Sequence, residues 1–134
     1  MTEQYAYPVF VSMYDLRGAV AESGNRFFDR DTLRFFRSRI GSNLYGGRLF
    51  VTSEQAGDDS SRRYTIRMVR RYLDRTQLDV TTVGGFQHFS SYAEAHKAAR
   101  LLGRQLRRGA IRPCDIDDDV NSGYLAVSDY REND

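Results

Sequence analysis

Residues 82–109, TVGGFQHFSSYAEAHKAARLLGRQLRRG, leave this chain few ways to fold. Ser91 with Glu94 three residues later makes a capping-box pattern, in which serine and glutamate satisfy amides that the first helical turn leaves open. Ala95, Ala98, Ala99, Leu102 and Leu106 then recur at helical spacing and form a single apolar stripe. Gly109 and Pro113 stop the helix, so the spacing predicts a helix over 92–108. The residues before it, LDVTTVGGFQHF, read as a strand bent or bulged at Gly84-Gly85. A helix apolar on one side only, fed directly by a strand, calls for a sheet to cover that side.

The remaining elements follow from the same periodicities. YPVFVSMYDL (7–16) alternates like a strand, with Val9, Val11 and Met13 on one side and Pro8 suiting a first or edge position. Ser23-Gly24-Asn25 supplies a turn. DTLRFFRSRI (31–40) reads as a short helix capped by Asp31, with Leu33, Phe36 and Ile40 as a narrow stripe. RLFVTSEQ (48–55) and RRYTIRMVRR (62–71) read as strands; in the second, Tyr64, Ile66 and Met68 alternate with Thr65, Arg67 and Val69. The expected fold is α+β: a small antiparallel sheet in the order β-α-β-β-β-α, with two helices packed on one face.

At 134 residues the chain is one domain by size and needs neither metal nor disulfide to fold. Its charge is divided. Residues 1–113 hold 19 basic against 11 acidic residues, a net of +8, whereas 114–134 hold Arg131 against seven carboxylates, a net of −6. This sets a basic domain over 1–113 against an acidic tail over 114–134, expected to be solvated and partly disordered, with GYLAV able to add an edge strand. Lys97 is the one lysine among 20 basic residues. Arginine binds phosphates and carboxylates as a fork, but a GC-rich genome yields the same bias. The single cysteine, Cys114, the absence of a long apolar run and an N-terminus without signal character point to the cytoplasm.

Catalytic and metal chemistry find little support. His88 and His96 lack a third ligand for zinc. DIDDD (115–119) opens like a calcium loop but meets Val120 and Ala126 where glycine and glutamate are required. Cys114 beside carboxylates is a poor thiolate, and no phosphate-cradling motif is present. The chain is therefore expected to be non-enzymatic, without cofactor or metal. What stands out is basic surface: Arg63, Arg67 and Arg71 along one strand face, and Lys97, Arg100, Arg104, Arg107 and Arg108 opposite the helix's apolar stripe. These eight residues are either a solvated face or a surface for nucleic-acid phosphates.

The α-β-β-β-α order over 31–108 resembles double-stranded-RNA-binding domains, although their Lys-Lys pair at the helix start is replaced by SSYAEAHKAA. TVGGFQHFSSYAEAHKAARLL resembles the strand-to-helix corner of AP2 domains and phage-integrase arm-binding domains. That likeness implies a sheet whose Arg63, Arg67 and Arg71 face a DNA groove, with the helix as support. FFDRDTLRFFRSRI, LFVTSEQ, RRYTIR and TVGGFQHFSSYAEAHKAA resemble small proteins of actinobacterial phages and span roughly residues 27–100. This resemblance implies a phage accessory protein acting on a host factor; the expected mode of action is binding a host or phage protein, and the expected state is monomer or homodimer. The alternative is a DNA- or RNA-binding domain whose acidic tail competes for the arginines.

Overall fold

The computed structural model describes residues 4–29, 32–33, 36–55 and 61–121. The fold is α+β, a small antiparallel sheet with two main helices. The strands are β1 (Tyr5–Ala6), β2 (Thr32–Leu33), β3 (Phe36–Ile40), β4 (Leu49–Gln55), β5 (Arg63–Tyr72) and β6 (Leu78–Val83). The helices are α1 (Met13–Glu22), α2 (Tyr92–Arg108) and the short α3 (Pro113–Ile116). β5 is the spine: β4 pairs along its first half, β6 along its second, and β1 continues β4's side at Arg71 and Tyr72. β3 and β2 extend the sheet beyond β4.

The helix predicted over 92–108 is found with those bounds, and Ser91 caps it by accepting the Glu94 amide at 3.2 Å. The bend at Gly84-Gly85 is also present: both glycines have positive φ, and the strand rejoins β5 at Phe89 through a bridge to Tyr64.

Two expected elements differ. The strand over 7–16 is replaced by two-residue β1 and by α1. Met13, Leu16 and Val20 have helical spacing and are buried, and Ser12 caps their helix by accepting the Asp15 amide. The helix over 31–40 is replaced by β2 and β3. Pairing of β3 with β4 from Arg37↔Gln55 to Ile40↔Thr52 outweighs a three-residue stripe, because propensity is a weak prior against tertiary pairing.

The helices also lie on opposite faces of the sheet, not on one. α2 covers Leu49, Val51, Ile66, Met68 and Val83, whereas α1 shares a second core with Phe28, Phe50 and Val69. Successive strand residues point to opposite faces, so each central strand supplies both cores. A close approach fixes α2's position. A Cβ at Gly103 would lie 2.9 Å from the Gly46 nitrogen, so only a helical glycine lets the 45–47 turn reach the helix backbone.

Candidate functional site

Lys97, Arg100, Arg104, Arg107 and Arg108 are all exposed on the outer side of α2, opposite buried Ala95, Ala98, Ala99 and Leu102. The structure thus brings the helix set of basic residues together. It gives the strand set different work. Arg67 is buried, and its guanidinium pairs with Glu54 at 2.8 Å and donates to Thr52. Phe27 and Phe86 each sit 5.4 Å from that guanidinium. Glu54 also accepts from both threonine hydroxyls, Thr52 and Thr65, so both carboxylate oxygens are hydrogen-bonded. Arg63 donates to the Gln87 and His88 carbonyls and braces the bend after β6. Arg71 donates to the Tyr72 and Arg75 carbonyls across the β5–β6 turn. Of the three strand arginines expected on one outward face, Arg67 is interior, while Arg63 and Arg71 are half-buried and bonded to loop carbonyls.

The second buried ionic centre, absent from the expected site residues, is Arg70. It lies on the α2 side of β5 with Ile66 and Met68, directly opposite Asp79 on β6. It is 3% exposed and bonds both oxygens of fully buried Asp117 at 2.7 and 2.8 Å. Asp79 and Asp119 complete its shell, with Tyr5 facing it at 4.2 Å. Asp117 further accepts from Tyr7 and Thr81. Burial opposes Arg70's charge, but its bonds to Asp117 and Asp119 win and hold its pKa above the ordinary value. Burial and the bond to Asp117 push the Tyr7 phenol upward. The parity of RRYTIRMVRR held the signal, because Arg70 shares the alternation of Tyr64, Ile66 and Met68.

The acidic run expected to be solvated is part of this structure. α3 places Ile116 in the main core, and Arg112 bonds Asp115 and lowers its pKa. Asp118 accepts from the Gly84 and Gly85 amides at 2.8 and 2.7 Å and from Thr82, while its own amide donates to the Thr82 carbonyl. The run from Cys114 to Asn121 thus belongs to the folded body. GYLAV falls outside the described residues.

Three further features bear on function. Tyr45 bonds the His96 ring, which stacks on Tyr92, and burial followed by the Tyr92 hydroxyl pushes Tyr45 up to about 12. Val9, Val11 and Tyr14 are 62%, 94% and 86% exposed, three large apolar side chains within six residues. Among the described residues there is no group of three potential metal ligands and no helix long and apolar enough to cross a membrane.

An α+β chain of this kind has a counterpart among known families: residues 12–100 match a family of unknown function, DUF7447. The chain belongs to that family. No curated protein and no solved structure matches it.

Proposed function

We propose that this is a non-enzymatic accessory protein of phage type, cytoplasmic, that works by binding a protein partner through the edge formed by Val9, Val11 and Tyr14. The near-complete exposure of Val11 and Tyr14 carries the reading. Clustered apolar side chains in water signal an interaction surface when their backbone is held. It is held here: the Phe10 amide donates to the Gly47 carbonyl at 2.8 Å, Phe10 packs on the α1-side core, and Met13 is buried within it. The patch is therefore presented on a fixed loop and helix start, with little left to order on binding. The buried carboxylates of Glu54 and Asp117 are each tied to an arginine and to hydroxyl donors, which supports a structural role for both. The likeness of several stretches to small actinobacteriophage proteins supports the accessory role.

The test is affinity capture from actinobacterial lysate with wild-type protein and a Val11→Asp/Tyr14→Asp variant as baits. A partner held stoichiometrically by wild type and lost by the variant is the expected result. Equal capture by both baits contradicts it.

A second reading rests on the five exposed cations of α2. Each phosphate they neutralise releases a counterion, so duplex DNA or RNA bound there dissociates steeply with salt. A Lys97→Glu/Arg104→Glu/Arg108→Glu variant then loses binding that Val11→Asp/Tyr14→Asp retains, as read by fluorescence anisotropy.

A further inference from the structure

The segment 116–119 is held by the body as a bound peptide is held. Its backbone leaves α3 extended at Asp117 (φ −75°, ψ 115°) and, at Asp118, donates to Thr82 on β6. A main-chain bond to a strand edge, with side chains seated in pockets beside it, is also how many bound peptides are held. The chain turns directly after Asp117, whose carbonyl accepts from the Val120 and Asn121 amides, and Asp117 and Asp118 enter two separate carboxylate seats on the body. One seat is Arg70 with the Tyr7 and Thr81 hydroxyls, which hold Asp117. The other is the pair of Gly84 and Gly85 amides with the Thr82 hydroxyl, which hold Asp118. Consecutive amides at positive φ, 78° and 99° here, form an anion-binding concavity that residues with side chains rarely adopt. Ile116 enters the core just ahead of the two aspartates and sets their register.

We propose that this crevice is a binding site for an acidic peptide of the pattern apolar-Asp-Asp, and that residues 116–118 fill it as a built-in ligand that a protein partner's acidic segment can displace. Five of the six site residues, Arg70, Thr81, Thr82, Gly84 and Gly85, lie within the span shared with the family; Tyr7 and the built-in ligand lie outside it. The tethered ligand acts at the high effective concentration that a short linker provides, so it sets a threshold that only a tighter acidic segment passes. This site is separate from the apolar edge at Val9 and Tyr14, and either stands if the other fails.

The test uses the full chain carrying Asp117→Ala and Asp118→Ala, which empties both seats and leaves Arg70 its pairs with Asp79 and Asp119. The probe is a fluorescein-labelled peptide of residues 113–121 with Cys114→Ser. The control is the same peptide with Asp117→Asn and Asp118→Asn. If the variant folds, it is expected to bind the probe at least about tenfold more tightly than wild type does, and the control at least about tenfold more weakly than the probe, one tenfold step being the loss of about one charge-assisted hydrogen bond. If the variant does not fold alone, the probe is expected to restore its cooperative melt and the control is not. A folded variant that ignores the probe, or an unfolded one that the probe does not rescue, overturns the proposal. So does equal action of probe and control.

Discussion

Gly103 shows how much a missing side chain can decide. Alanine is the better helix former by about 1 kcal/mol. At this position its Cβ would press on the Tyr45–Gly46 backbone, with the Tyr45 carbonyl carbon 2.9 Å away. Gly103→Ala is therefore expected to destabilise the protein by about 1–3 kcal/mol through overpacking, whereas the same change at exposed Gly18, with nothing within 4 Å of a new Cβ, stabilises α1. Thermal melts of the two variants should move in opposite directions. Tyr45 offers a second residue-level check. Burial and the Tyr92 hydroxyl raise its pKa from 10.0 to about 12, so the folded state holds the phenolic proton more tightly than the unfolded chain. Its contribution to stability is complete below pH 10 and is lost as pH rises from 10 through about 12. Absorbance titration of Tyr45→Phe against wild type should remove one late-ionising tyrosine and flatten that alkaline loss of stability.

At the scale of elements, Arg70 and Asp117 tie the end of the described chain to β5. Asp117→Asn keeps the shape and removes the charge, leaving a buried guanidinium less compensated. A loss of about 3 kcal/mol is expected in urea unfolding, near the lower end for a broken buried pair because Asp79 and Asp119 remain. A chain ending at Arg112 lacks Ile116 and Asp117 altogether and should melt far below one ending at Asn121; coincident melts would contradict the structural role of α3 and the run after it. α2, β4, β5, β6 and the bend at Gly84-Gly85 were legible because each carries its own strong signal: a cap, a stop, or an unbroken alternation. The first 40 residues were not. Val9, Val11 and Met13 satisfy a period of two, while Met13, Leu16 and Val20 satisfy a helical one, and only the Ser12 cap decides between them. Residues 36–40 pair as a strand because β4 presents a free edge to them, a long-range fact that no local window contains.

At the scale of the whole molecule, the charge asymmetry of the sequence reads differently in three dimensions. A +8 body beside a −6 tail suggests a broad cationic surface and a free acidic segment. Two of the body's arginines are instead interior, and the carboxylates of 115–119 are bonded to Arg112, Arg70, Thr81, Thr82 and the Gly84-Gly85 amides. Charge counting could not have shown this, because Arg67 and Arg71 differ in burial while sharing a strand face by alternation. Among the described residues, one outward cationic row runs along α2, and the most exposed large apolar side chains lie together at Val9, Val11 and Tyr14. Binding through the second set draws on apolar burial, which salt does not screen; binding through the first draws on charge, which it does.

The most direct measurement is the ionic-strength dependence of the complex between full-length protein and its captured partner, followed by anisotropy from about 0.05 to about 0.5 M salt. A protein interface at the apolar edge predicts a change in affinity of less than about threefold over that range, since Debye screening acts weakly on apolar contact. A loss of about 10³-fold or more, matched by a 20-base-pair duplex binding in place of the partner, would contradict it and assign the function to phosphate contacts along α2.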